Sequence, residues 1–325
     1  MQKSRLVEIV NNFKNKKIAV IGDVVLDKYV YGKVERVNPE NPGAPLLKIE
    51  KKEFRLGCAA NVALNIISLG AEASLGCVIG GDHHGRIFER MCRKKGIKFF
   101  SVRNGQTIVK ERSIESEFNQ YLLRADDGES NLVPLYNNAA SKIYNFINNS
   151  DLDAIILSDY NKHVFRNGFA QQIISLSQNR KIPVVVDPKP VNSLSFKNST
   201  LICPNIKEAK EITGANENDP KLLAKKLKEI IQCAYVVVTC GKRGMVCYDG
   251  NEFAEISTKV KEVVDVTGAG DTACAAMALG LASGLSLIET VHLANYAAGV
   301  VVEKLGTSTV KAEELIARIE EDGNV

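Results

Sequence analysis

The 325-residue chain is expected to fold as an α/β protein around a mostly parallel sheet, with a small second sheet projecting from it. Three observations predict this. Apolar runs of strand length alternate with stretches of helical spacing, the pattern of βαβ units. Several of those runs end in a polar residue, and two further stretches alternate half-polar residues with no helix between them.

Taken in order, residues 1–17 are charged and amphipathic, with Lys14, Lys16 and Lys17 read as the solvated end of a first helix. Strands are expected at 17–22, 73–79, 154–158, 183–187, 200–203 and 235–240, with 244–248 as a hairpin partner of the last. Helical spacing marks 59–69, 85–95, 167–178, 220–231, 273–283, 287–304 and a short amphipathic helix at 312–321. The half-polar strands lie within 28–50 and 106–125 and would form a lid or an oligomer contact. Repeats, low-complexity tracts and a domain linker are absent from the sequence, so one domain over 1–325 is expected.

Composition excludes several classes. A formal net charge of +4 is small for this length, and aromatics do not interleave with basic residues, so no nucleic-acid surface is expected. Eight cysteines without a Cys-x-x-Cys pair read as buried thiols in a reducing cytoplasm rather than zinc ligands or disulfides. The N-terminus has no apolar signal core, and no stretch approaches 18 apolar residues, which argues against secretion and membrane spanning. Neither a P-loop nor a protein-kinase motif set occurs.

The most informative run is Asp265-Val266-Thr267-Gly268-Ala269-Gly270-Asp271-Thr272. Glycines ahead of a helix leave amides uncovered where the helix dipole favours an anion. Asp271 beside that point suggests phosphoryl transfer, with Gly268 and Gly270 holding the migrating group and Asp271 taking a proton from an acceptor hydroxyl. A tight turn with Asp271 as an ordinary helix-start residue has the same composition. Gly268-x-Gly270-x-x-Ala273 also meets a loose dinucleotide fingerprint, but the nearest acid in range, Glu289, falls inside a helical stretch instead of at a strand end.

Other candidates sit at strand ends, where ligands bind in open α/β sheets. Asp23 alone reads as part of a turn, whereas Asp27 together with Gly57, Cys58 and Asn61 favours binding of sugar hydroxyls. Asn205 and Glu208 share a helical face and could hold Mg²⁺ through water, or could equally form a capping box. Thr239 and Gly241, in a glycine-bounded turn with Lys242 and Arg243, could meet a nucleotide or belong to a plain hairpin. Lys189 is open between a phosphate contact and a solvated loop, and Arg112 in the half-polar strands joins it among the candidate substrate contacts. His83 and His84 read as surface residues after a turn, since neighbours in sequence do not share a helix face.

In their order along the chain, Asp27, Gly57–Asn61, Asn205 with Glu208, Thr239 with Gly241, and Asp265–Thr272 resemble the pfkB family of sugar kinases over nearly the whole length. The resemblance implies a ribokinase-like three-layer sandwich with a β-sheet lid that builds a homodimer. It makes Asp271 the general base and the amides of Gly268, Ala269, Gly270 and Asp271 the anion hole for the γ-phosphoryl group. It assigns Asp27 and Asn61 to the sugar, Asn205 and Glu208 to Mg-ATP, and Thr239, Gly241 and Asn295 to the nucleotide. It assigns Asp265, Thr267, Gly306 and Ser308 to a monovalent cation such as K⁺. Within the family, the words Arg36-Val37-Asn38-Pro39-Glu40, Leu157-Ser158-Asp159-Tyr160, Asp187-Pro188-Lys189 and Ala297 through Val310 are most similar to members that phosphorylate O1 of D-glycero-D-manno-heptose 7-phosphate on the route to ADP-heptose. Two departures stand out. Cys58 occupies a position where the family usually has glycine, and no nucleotidyltransferase region follows, so the stand-alone arrangement is expected. A different sugar or nucleoside as acceptor, or a non-catalytic sugar or nucleotide sensor, are the alternatives.

Overall fold

The computed structural model describes residues 3–129, 137–258, 260, 263–304, 306 and 308–321. Met1 and Gln2 of the first segment, Leu305 and Thr307 of the run ending at Val310, and residues 322–325 of the expected domain lie outside them.

The elements follow in order as α1 (Lys3–Asn11), β1 (Lys17–Gly22), β2 (Val24–Val37), β3 (Pro45–Cys58), α2 (Ala59–Ser68), β4 (Glu72–Ile79), α3 (His83–Lys94), β5 (Lys98–Arg103), β6 (Val109–Glu115) and β7 (Gln120–Asp127). Then come α4 (Asn137–Asn149), β8 (Ala154–Ser158), α5 (Phe169–Asn179), β9 (Val184–Asp187), β10 (Leu201–Ile202), α6 (Ile206–Thr213), α7 (Pro220–Ile231) and β11 (Tyr235–Thr239). The chain finishes with β12 (Met245–Tyr248), β13 (Phe253–Ile256), α8 (Ala269–Ala282), α9 (Leu287–Val302) and α10 (Ala312–Glu321).

The large sheet runs β13-β12-β11-β10-β9-β8-β1-β4-β5, parallel from β11 to β5 and antiparallel across the β11–β12–β13 hairpins. Its parallel strands are apolar on both faces because both are covered. Ile18, Val20, Ile156, Val185 and Val237 pack with α1, α2, α8 and α9, while Ala19, Ile21, Ile155, Val186 and Val238 pack with α4, α5, α6 and α7. The result is a helix–sheet–helix sandwich. The second sheet, β3-β2-β6-β7, is the expected lid. Its inner rows, Leu26, Leu56 and Val109, join the main core, whereas Phe118, Tyr121 and Leu123 are exposed.

Some expectations need correction. α8 begins at Ala269, four residues before the expected 273, because Gly268 at φ 84° turns the chain straight into the helix. α1 ends at Asn11, and the three lysines are not its end: Lys14 lies in a 3-10 turn, while Lys16 and Lys17 reach Asp153 and Asp151, each at 3.4 Å. The strand expected at 200–203 is reduced to Leu201–Ile202. β5, α4 and β13 carried no expectation. Glu289 closes a capping box with Ser286 at the start of α9, consistent with its exclusion as a dinucleotide acid. Among the described residues no helix is long and apolar enough to cross a membrane.

Candidate active site

The carboxyl ends of β1, β8, β9, β10 and β11 lie side by side, and the chain order reverses between β1 and β8, the position at which open α/β sheets hold ligands. The N-terminus of α8 points into this edge. Gly268 adopts the left-handed conformation, so a side chain there would be strained. Gly270 has no such constraint, and a Cβ at that position would meet nothing within 4 Å. The open space in front of it is the mouth of a helix whose first amides have no intrahelical acceptor. Ala269 does not contribute its amide, which donates to the Val266 carbonyl at 3.2 Å.

Asp271, in the first turn of α8, is 7% exposed, and both of its oxygens are engaged. Asn61 Nδ2 donates to Oδ2 at 2.7 Å and the Tyr160 hydroxyl donates to Oδ1 at 2.7 Å. Burial raises the Asp271 carboxyl above its ordinary range, while the bonds from Asn61 and Tyr160 pull it down. A partly desolvated carboxylate with fixed donors suits a general base. Asn61, expected on a sugar hydroxyl, also bonds Asp271 through its Nδ2.

One wall of the adjoining cleft, about 170 Å³ in volume, is built by Lys189, Asn205, Glu208 and Thr239, with Gly268, Gly270 and Asp271 opposite. Both readings of Asn205 and Glu208 meet here. The capping box exists, with Glu208 N donating to Asn205 Oδ1 and Asn205 N to Glu208 Oε2, each at 3.0 Å, and the pair still lines the cleft. Glu208 Oε1 accepts from Lys189 Nζ, whose ammonium also lies 5.4 Å above the Tyr160 ring. Burial works to lower Lys189, but Glu208 and the neighbouring carboxylates outweigh it and hold the ammonium charged. Asp187, also in the cleft, is pushed well up by burial; Lys189 opposes this, and Asp271, Glu208 and Asp159 add to it.

On the lid side, Asp27 is 9% exposed and accepts from Arg112 at 2.5 Å. A Cβ on Gly57 would stand 2.5 Å from Asp27 Oδ2, so a side chain there would have to displace the carboxylate of this pair. Tyr29 on the same face has the guanidinium of Arg55 at 4.5 Å and that of Arg112 at 5.3 Å from its ring centre. Cys58 is the N-cap of α2 at φ 57°, ψ −133°, a backbone conformation that suits glycine. Burial, and then the charge of Asp271, push its thiol well up.

The loop before α8 gathers Asp265, Thr267 and Gly306. Asp265 Oδ1 accepts from the Thr267 amide at 2.9 Å and hydroxyl at 2.7 Å, and Oδ2 accepts from the Gly306 amide at 3.0 Å. Burial opposes ionisation of Asp265, but these bonds prevail and hold its carboxyl low. Ser308 lies between α9 and α10, two positions after Gly306. Asn295 does not line the cleft: its Nδ2 donates to the Ser257 carbonyl at 2.9 Å, under the β13 exit. Gly241 at φ 58° opens the 3-10 turn after β11 and also stands outside the cleft wall. His83 and His84 start α3 behind the Asp82 cap, and among the described residues no group of three or more His, Cys, Asp or Glu is placed to ligate a metal ion directly.

Asp187, at the end of β9, is one of the strand-end polar residues the sequence offers at the ligand edge, without an assigned role; Tyr160, two positions after β8, was given no role, and its signal was positional.

Residues 15–314 match the family model described as pfkB family carbohydrate kinase. A protein named bifunctional protein HldE from Pasteurella multocida is 37% identical over 308 residues, covering 93% of this chain and 63% of that protein. The chain spans 63–65% of the length of the first such curated relatives it matches. Phosphofructokinase-2 from Escherichia coli, in complex with potassium, superposes with a TM-score of 0.76 at 19% identity, covering 94% of this chain and 99% of that one. Arabidopsis thaliana ribokinase, complexed with ribose and ATP, gives 0.70 at 18% identity, covering 94% and 99%. These structures share the ribokinase-like fold.

Proposed function

The chain belongs to the pfkB family of carbohydrate kinases, and from that premise we propose that it transfers the γ-phosphoryl group of ATP to O1 of D-glycero-D-manno-heptose 7-phosphate, forming the 1,7-bisphosphate used for ADP-heptose. The observation that carries the phosphoryl transfer is the placement of Asp271, held by Asn61 and Tyr160, beside the open mouth of α8. Asp271 takes the proton of the attacking hydroxyl. The free amides at Gly270 and Asp271 stabilise charge developing on the migrating phosphoryl group, and Lys189 adds a cation. The heptose rests on the sequence words described above and on the HldE relatives.

The cleft suits Mg²⁺ bound through water. Asp187, Glu208 and Asp271 crowd it with carboxylates, Lys189 is the cation facing them, and the oxygens of Asn205 and Glu208 already serve the capping box, which disfavours direct ligation. Asn205 and Glu208 would hold the hydrated ion, which supplies charge neutralisation on the ATP phosphates. K⁺ would be held by Asp265, Thr267, Gly306 and Ser308, a set in which three members are already joined around an ionised carboxyl. A second copy of this chain would cover the exposed Phe118, Tyr121 and Leu123 of the lid, making a homodimer. Eight free thiols fit a reducing cytoplasm.

Cys58 favours a second reading, a pfkB kinase for another sugar, because its side chain stands where the family usually leaves room. ADP release measured over a panel of sugars, sugar phosphates and nucleosides decides between them. The heptose 7-phosphate should give the highest kcat/KM; a higher value for another acceptor would replace the heptose, and binding without any ADP release would make the protein a sensor.

A further inference from the structure

Tyr160 OH and Asn61 Nδ2 divide the two oxygens of Asp271 between them, each at 2.7 Å. We infer that Tyr160 is a positioning residue for the base, its hydroxyl orienting the Asp271 carboxylate and keeping it ionised for proton abstraction. The inference rests on the kinase reading above.

The loop that carries Tyr160 is built around this contact. Asp23, at the end of β1, accepts from the amides of Tyr160 at 2.8 Å, Lys162 at 3.0 Å and Val164 at 3.2 Å. Asp159 accepts from the amides of Asn161 at 2.8 Å and Lys189 at 3.0 Å and from Asn192 Nδ2 at 3.1 Å. Asn161 and His163 are held at φ 55° and 77°. Five amides and two left-handed residues thus fix one tight wrap, and a loop needed only for packing would not require Tyr160 to end on a carboxylate 111 positions away. Lys189 lies over the ring face, so the ring is held as well as the hydroxyl.

The electrostatics agree. The groups facing Tyr160 are Asp271 from α8, Cys58 from the start of α2, Asp187 from β9, and Lys189. Burial, and then the Asp271 charge, push the phenol well above its ordinary range, so it remains a donor. Asp271 faces Asn61 and Cys58 from α2 and its cap, Tyr160, Asp187 and Lys189 from the sheet edge, and Asp27 from β2, and the Tyr160 bond is among those favouring its ionised form.

Tyr160→Phe keeps the ring under Lys189 and removes only the donor. The pH dependence of kcat/KM and a direct ¹³C carboxyl titration of Asp271 without substrate should both show the acid limb of Tyr160→Phe moved up by about one pH unit. The KM for ATP should be unchanged. Site-specific 3-fluorotyrosine at position 160, a more acidic donor, should move the limb the other way. Retained turnover in Asp271→Asn would overturn the base and this inference with it. An inactive Asp271→Asn beside a Tyr160→Phe enzyme whose limb and carboxyl titration match wild type would overturn this inference alone.

Discussion

Asn61 and Asp271 lie 210 residues apart in sequence and meet side chain to side chain at 2.7 Å, joining the first turn of α2 to the first turn of α8. The helix that would receive the phosphoryl group is thereby fixed to the element that borders the lid. Removing the amide leaves a buried carboxylate short of one donor. Asn61→Ala should lower kcat about 10- to 100-fold and shift the acid limb upward, as a stopped-flow or coupled ADP assay across pH would show; an unchanged kcat would remove Asn61 from the machinery.

Gly270 separates stability from activity. Nothing surrounds a Cβ there, and alanine is the better helix former, so Gly270→Ala should match or raise the melting temperature. It should nonetheless lose about 100-fold or more in phosphoryl transfer, because the methyl group stands where the phosphoryl must come. A variant that is both stable and fully active would show the helix mouth to be unused.

Cys58→Gly tests the strained corner. Relief of a φ 57°, ψ −133° side chain should raise unfolding free energy by about 1 kcal/mol, measured by urea titration, and should broaden the range of acceptors. Equal stability and equal selectivity would mean that the thiol is accommodated without cost and without contact with the sugar.

Asp23 gives stability a pH dependence. Burial, opposed by three amides, pushes its carboxyl from 3.8 to about 6 in the folded protein. The folded state therefore holds this proton more tightly than the unfolded chain, so the contribution is complete below the unfolded pKa and is lost as pH rises from 3.8 to about 6, by about 3 kcal/mol. Urea titrations of wild type and Asp23→Asn at both ends of this window should differ in slope by that amount. Parallel profiles would contradict it.

Much of this was legible in the sequence for a physical reason. Strands covered on both faces must be apolar, so β1, β8, β9 and β11 stand out, and the first polar residue after each, such as Asp23 or Asp159, marks the ligand edge. The edge strand β5 and the Asn-rich α4 lack that pattern and carried no expectation. Gly268-Ala269-Gly270 were placed ahead of the helix because glycine weakens helix propensity, yet the left-handed Gly268 is what lets α8 start four residues earlier. Asn61 was recognised as a site residue, but its bond to Asp271 was not foreseen and Tyr160 was not recognised, because their shared partner lies more than a hundred residues away and is set by tertiary packing.

The central claim is that Asp271 deprotonates the acceptor at the mouth of α8. The ratio of single-turnover phosphoryl-transfer rates between wild type and Asp271→Asn, with ATP and acceptor both saturating, tests it most directly. A loss of about 10²-fold or more with ATP affinity retained is the expected result; equal rates would contradict the claim.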